Sequence, residues 1–483
     1  MKRGGTDALL AAAVAALVLL RVGAAGRLPL FDDEAYYWLW SLRPDWGYLD
    51  HPPLIAWLIY AGTRVSDSPG WIRALPLVCG ALTVYVLFLF ARDLFGGRTA
   101  LLAALVASVT VGVAGGSLLA TPDTPLLFAW VFTARAVWRA AHDRPRWWGL
   151  AGAGLGAGVL GKLSILWLAA GLAWYLFAKG RALRTTGPVL ALAIAMVIGS
   201  PFLVWNARHQ WATIRFTLIE RPVHLPPGPS AVADLLAAQF IYAAVLFPVF
   251  AWALWAAWRR RADERFRYLF WSAIPAVAVP LAFALTTGTH RNAWMVPAYL
   301  VLAVSVAALW NRLTAVATAV AVTAGIATST LLLLPGFPPI PGLAELHGWE
   351  QAGRRAASEV VRLPQPAVLA SDRYQAAAQL AYATHARVAI TLLPRADPES
   401  IWTRLWGPSG QWGGRDAIVV VDPAWPASDW RRYASRVREL HPLVVGLDPQ
   451  RSRTFLFYRL EGLRPDARGP GPVSISCRSS SGC

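Results

Sequence analysis

The feature that most constrains this chain is a succession of apolar stretches of near-spanning length, joined by short loops rich in arginine. A run of about 20 apolar residues pairs its own backbone as a helix and can cross a bilayer. Such stretches lie near 7–26, 71–91, 99–119, 123–141, 148–161, 163–178, 187–206, 234–257, 268–287, 293–310 and 313–334. Hydrophobic residues make up 56% of the 483 positions and charged residues 15%. A soluble fold of this length does not hide that much apolar surface. The expected fold class is a polytopic α-helical membrane protein of about eleven spans.

The net charge of +18 is carried largely by these connections: "ARDLFGGR", "RAAHDRPRWW", "AKGRALR", "RRRADERFR" and "NR". With the N-terminus inside, every one of them falls on the cytoplasmic side, as the positive-inside rule requires. The basic residues therefore read as topology signals, and no nucleic-acid partner is expected. The basic start "MKRGG" and the first span read as a membrane helix rather than a cleaved leader, because no clean small-x-small site leads into a soluble domain. The stretch 148–178 is long for one span and short for two. Its flanking basic loops predict a hairpin tipped at "GKLS", 161–164, with Lys162 at the turn. A single tilted helix is the alternative, and it would turn the "RRR" loop outward. Eleven crossings place the C-terminus outside the cell (inner or plasma) membrane, with 27–70, 120–122 and 205–233 as outer connections.

Residues 1–335 thus form a transmembrane domain with an interfacial first loop, 27–70. After the proline-rich "LLLLPGFPPIPG" the pattern changes. "AVLA", "SDRYQAAAQLAYATH" and "VAITLL" read strand–helix–strand. "DAIVVVD" reads as a strand, "SDWRRYASRVREL" as an amphipathic helix, and "HPLVVG" and "RTFLFYRL" as strands. A small extracytoplasmic α/β domain is expected over 336–462, with a disordered tail over 463–483. Cys477 and Cys483 fall in that tail, and Cys79 in a span.

The first loop opens with "FDDEAYYWLW", three carboxylates running into aromatics. Asp32 suits the N-cap of an interfacial helix. Asp33 and Glu34 sit where a carboxylate is costly unless solvated or paired. "DDEAYY" and "WGYLDHPPLIAW" together resemble the polyprenyl-phosphate-sugar glycosyltransferases of the GT-C class, in the bacterial branch related to protein O-mannosyltransferases and aminoarabinose transferases. The order of motifs continues with Asp123 in "ATPDTP", Lys162 in "GLGAGVLGKLS", "RNAWMVPAY" over 291–299 and "SDRYQAAAQLAYAT" over 371–384.

The resemblance implies transfer of a monosaccharide from a polyprenyl-phosphate-linked sugar to a lipid, glycan or protein acceptor, by inverting displacement. It implies Asp33 as the catalytic base, with Asp123 and Glu34 as further catalytic carboxylates. It places Asp50, His51, Lys162, Arg291 and Asn292 around the substrate, the cations holding the leaving phosphate. Such chemistry needs a base for the acceptor hydroxyl and positive charge at the phosphate. His51 stands where some relatives carry lysine, which leaves its role open. Arg291 and His290 also suit an interfacial anchor, and Trp205, Trp211 and Trp294 an aromatic belt. No cofactor is certain from the sequence. A divalent metal is possible because His51, His209, His224 and His290 all lie outside, but their spacing fits no ligand motif. The competing reading is a transporter or flippase of a lipid-linked substrate. It predicts an inverted repeat and charges near the midplane, and neither is evident.

Overall fold

The computed structural model describes residues 2–180, 186–217, 226–288, 291–333, 344–393, 400–407, 409–423, 429–448 and 451–465. The chain divides into two units: Met1–Pro29 with Trp40–Phe337, and Leu30–Leu39 with Pro338–Cys483. His224, His290, Cys477 and Cys483 lie outside the described residues.

The first unit is helical, and each of the eleven apolar stretches is occupied by helix. Among the described residues, six helices are long and apolar enough to cross a membrane. The helices Gly97–Val109 and Val111–Leu118 pass the same test only when taken together, as a pair bent by 77°. The unit is a multi-pass helical bundle. Proline opens several of these helices at the first turn, where its missing N–H costs nothing. Small residues let helices approach closely. A Cβ on Gly152 would stand 2.4 Å from the Ala191 carbonyl oxygen, so Trp147–Gly161 packs on Gly187–Arg208 only because glycine is there.

The stretch 148–178 is two helices, Trp147–Gly161 and Ile165–Lys179, parted at Lys162, whose backbone is extended (φ −162°, ψ 133°). Both outer ends meet the C-terminal end of the Asp123–His142 helix. The Arg139 guanidinium lies 5.3 Å from the centre of the Trp147 ring, and Lys179 Nζ is 2.9 Å from His142 Nε2. The chain therefore reverses at 162–164, and a single long helix is excluded. That same end of the bundle carries two charge networks. Asp93 accepts from Arg135 at 2.8 Å and from Arg139 at 3.1 Å. Glu264 takes Lys179 at 2.6 Å, the Tyr175 hydroxyl at 2.8 Å and His142 at 3.2 Å. These bonds tie four helices where arginine-rich loops join them.

Among the described residues of the second unit, five strands form one sheet: β1 (Val368–Ser371), β2 (Ile390–Leu392), β3 (Ala417–Val421), β4 (Ala434–Asp448) and β5 (Arg451–Leu463). Their order is β2-β1-β3-β5-β4, with β1, β2 and β3 parallel and β5 antiparallel to both neighbours. Helix Tyr374–Ala383 connects β1 to β2, as the strand–helix–strand pattern predicts. The core is built from Val368, Ala370, Val419, Trp430 and Leu460.

The segment 429–440 corrects the sequence reading. Its amphipathic helix is absent: Trp430–Arg432 is one 3-10 turn, and Ala434 onward is strand β4. Cross-strand pairing with β5 outweighs the local helical period, and the charges Arg436, Arg438 and Glu439 suit an edge strand.

Candidate active site

Asp123 and Lys162 come together in the helical unit. Asp123 is the first residue of its helix, directly after Pro122, where a carboxylate also favours the helix N-terminus. Lys162 sits in the hairpin turn. Its Nζ is 2.7 Å from Asp123 Oδ1, and both side chains are mostly buried. A Cβ on Gly116 would stand 2.9 Å from Leu127 Cδ1 and 3.9 Å from Asp123 Cβ, so glycine lets the two helices approach closely there. A buried lysine must be paired or solvated, and here it is paired.

Arg291 and Asn292 lie at the start of the 3-10 turn Asn292–Met295. Trp294 is buried, its ring 5.6 Å from that of Trp167 and 5.9 Å from that of Phe283. Trp167 belongs to the first turn after Lys162, so residues 291–295 lie against the hairpin. The turn is fixed by a buried relay that the sequence did not announce. Gln239 Nε2 donates to the Asn292 carbonyl at 3.2 Å, and Gln239 Oε1 accepts from the Tyr299 hydroxyl at 2.8 Å. Asn292 Oδ1 is buried with no hydrogen bond from a described residue.

Asp50 and His51 occupy the turn before helix Leu54–Thr63. The His51 carbonyl accepts from Tyr48 N at 3.2 Å, and its ring lies 6.4 Å from that of Trp40. The preceding loop is clamped by the connection after residue 204. Trp205 Nε1 donates to Asp45 Oδ2 at 3.0 Å, and Thr213 Oγ1 to the Tyr48 carbonyl at 2.6 Å. A Cβ on Gly47 would fall 2.6 Å from the Trp205 ring, so glycine is required there. Trp205 and Trp294 are thus packed interior residues rather than belt residues, whereas Trp211 is exposed. His209 stacks on Trp205 with Nδ1 2.7 Å from the Trp205 carbonyl. Among the described residues no three His, Cys, Asp or Glu side chains converge as metal ligands.

Arg73 also escaped the sequence reading, although a lone arginine inside an apolar helix is a signal in itself. It is fully buried and donates to the carbonyls of Ala25 at 2.6 Å and of Leu28 and Pro29 at 2.8 Å. It thereby caps the end of the first span and fixes the chain that leads to Asp32.

The three acids of the first loop belong to the second unit, and each has a different setting. Helix Asp32–Leu42 begins at Asp32, so Asp32 is not its N-cap. Glu34, 0% exposed, turns back to accept from Phe31 N at 3.1 Å, half of a capping box. Asp32 accepts from Gln379 Nε2 at 2.9 Å. Burial holds its carboxyl above the usual range. Asp33 is the exposed member, with the Tyr374 hydroxyl 3.3 Å from Oδ1.

Three comparisons bear on this geometry. Residues 50–205 match the family of dolichyl-phosphate-mannose-protein mannosyltransferases. The lipid A galacturonosyltransferase RgtD of Rhizobium johnstonii is 31% identical over 293 residues, 58% of this chain and 60% of that relative. The chain thus matches well under two thirds of that protein's length. The crystal structures of ArnT from Cupriavidus metallidurans, apo and bound to undecaprenyl phosphate, align over 97% of this chain and 100% of theirs. Each has a TM-score of 0.66, at 16% and 17% identity. The chain is a polytopic helical protein that shares the fold of the ArnT structures.

Proposed function

We propose that this chain is an integral-membrane glycosyltransferase. It moves a monosaccharide from a polyprenyl-phosphate donor to an exported lipid, glycan or protein acceptor by a direct, inverting displacement. The observation that carries the reading is the Lys162–Asp123 pair at the turn of a helical hairpin. It stands on a fold shared with an ArnT structure that holds undecaprenyl phosphate.

Each group has a task that its chemistry suits. Lys162 neutralises the phosphate as the sugar–phosphate bond breaks, and Asp123 aims the ammonium. Arg291 offers a second cation with bidentate geometry. Asn292 Oδ1 is an acceptor for a donor hydroxyl. Asp33 takes the proton of the acceptor hydroxyl as general base. Glu34 is bound to the backbone of its own turn and holds that turn in shape. Asp50 and His51 border the substrate from the clamped loop. The arginine-rich loops face the cytoplasm, and Asp123 and the chain after Pro335 face outward.

The test has two parts. Undecaprenyl phosphate is titrated into the protein in nanodiscs, and envelope lipids, glycans and proteins are weighed by mass spectrometry with and without the gene. Lipid A bearing galacturonic acid is the first species to inspect, given the relative named above. Saturable binding together with loss of one sugar mass supports the proposal. No binding, or an envelope unchanged by deletion, overturns it. Cysteine labelling of intact cells at position 372 tests the orientation, and reaction only after permeabilisation would reverse it.

A further inference from the structure

The second unit carries a motif that the proposed reaction leaves unused, "SDRYQAAAQLAYAT" over 371–384. Its place in the sheet is informative. From β1 the chain crosses to β2 on one side, and from β2 it crosses back over β1 to β3 on the other. Parallel strands that diverge in this way open a crevice at their carboxyl ends, where open α/β sheets ordinarily take a ligand. The residues just past those ends are Asp372 after β1 and Asp422 after β3.

Here the crevice is filled by the chain itself. Asp32 lines a cavity of about 50 Å³ together with Asp372, Arg373, Asp422 and Arg453. Arg453 is committed within it: it bonds Asp422 at 2.6 Å and the His347 carbonyl at 2.6 Å, and it lies 4.6 Å from the centre of the Trp349 ring. The inserted segment is gripped by the helix Tyr374–Ala383. Gln379 is almost completely buried, and its one amide nitrogen donates to the Leu30 carbonyl at 2.8 Å and to Asp32 at 2.9 Å. The Tyr374 ring packs 5.0 Å from that of Tyr36 while its hydroxyl reaches Asp33. Tyr382 meets Trp38 edge-on at 5.1 Å. The grip thus runs from Leu30 to Trp38, on both sides of Asp33.

We propose that the C-terminal unit is a positioning device for the base. Its ligand crevice has been given over to the turn 30–34, and Gln379 and Tyr374 are positioning residues that set the orientation of Asp33. The inference rests on the role of Asp33 proposed above. A group held by neighbours on both sides loses little on reaching reactive geometry, whereas a misplacement of about 1 Å costs up to about 10²-fold in rate.

The test uses the full chain in a strain lacking the native gene, with the initial rate at which the modified envelope species reappears after induction. Gln379→Met keeps length and burial but removes the donor. Tyr374→Phe keeps the ring contact but removes the hydroxyl. We expect rates lower by about tenfold and about threefold respectively, with undecaprenyl phosphate affinity in nanodiscs unchanged. The decisive measurement is the Gln379→Met, Asp33→Asn double variant. A residue that acts through Asp33 adds no further loss once the carboxylate is gone. If Gln379→Met lowers the rate equally in both backgrounds, or if both single variants keep the full rate, the inference is overturned. If Asp33→Asn alone keeps the full rate, it is the role of Asp33 that fails, and the two failures are told apart. Should Gln379→Met not accumulate, Tyr374→Phe, at a half-exposed side chain, carries the same comparison.

Discussion

The two ends of the helical bundle hold their charges in different ways. At the arginine-rich end, charges close on one another: Glu264 takes Lys179, His142 and Tyr175, and Asp93 takes Arg135 and Arg139. At the other end, Asp123 is the one group bonded to the Lys162 amine among the described residues. An ammonium has three donors, so two remain for a ligand. A closed network holds helices together, whereas the Lys162–Asp123 pair stands apart from any such network among the described residues. The same contrast recurs among the acids of the first loop. Glu34 and Asp32 are turned to the protein, and Asp33 is exposed.

The largest effect expected from this contrast is at Asp33. Asp33→Asn preserves size and removes basicity, so transfer should fall by about 10²–10⁴-fold while the protein still accumulates in the membrane. Near wild-type transfer by this variant would move the base elsewhere and erase the distinction between the exposed acid and its buried neighbours.

Next comes the lone pair. Lys162→Ala removes one charge-assisted contact and should weaken undecaprenyl phosphate binding by about 1.5–3 kcal/mol, roughly 10- to 150-fold. Titration in nanodiscs measures it. Unchanged affinity would show that the Lys162 end is as closed as the other. Asp123→Asn should weaken binding less, because the cation remains and only its anchor is lost.

How much of this was legible in the sequence follows from the range of the interactions. Helix positions and the hairpin at "GKLS" depend on local apolar runs and on charges that interrupt them, and these were readable. The Lys162–Asp123 bond joins positions 39 apart, and no local pattern encodes it. The fate of 434–448 was misread because a strand partner, β5, decided it. Asp32 looked like an N-cap by the identity of its side chain, yet the turn is closed by Glu34 from inside the helix. Gln379 stood within a quoted motif, but its role depends on a segment 349 residues away.

At the arginine-rich end the expected effect is smaller and of another kind. Glu264→Gln leaves Lys179 and His142 facing a neutral amide. The site is partly solvated, so the loss should be limited to about 1 kcal/mol of stability. Undecaprenyl phosphate affinity should not change. A melting scan of the purified protein beside the same nanodisc titration checks both. Loss of affinity without loss of stability would reverse the assignment of the two ends.

The smallest effect concerns Asp32 and appears only as a slope. Burial raises its carboxyl above the usual value, and the neighbouring Asp422 adds to this, although Gln379 and Arg453 pull the other way. The folded protein therefore binds this proton more tightly than the unfolded chain. Its contribution to stability falls as pH rises through the interval between the ordinary carboxylate value, about 4, and the raised one, and is constant above it. Asp32→Asn keeps an acceptor for Gln379 and cannot ionise. The variant should gain on the wild type in melting temperature as pH rises from about 4 toward neutrality, with the difference then levelling off. A difference that stays flat across that interval would mean that Asp32 is as well solvated as Asp33, and the contrast between a seated acid and an exposed one would be lost within the turn itself.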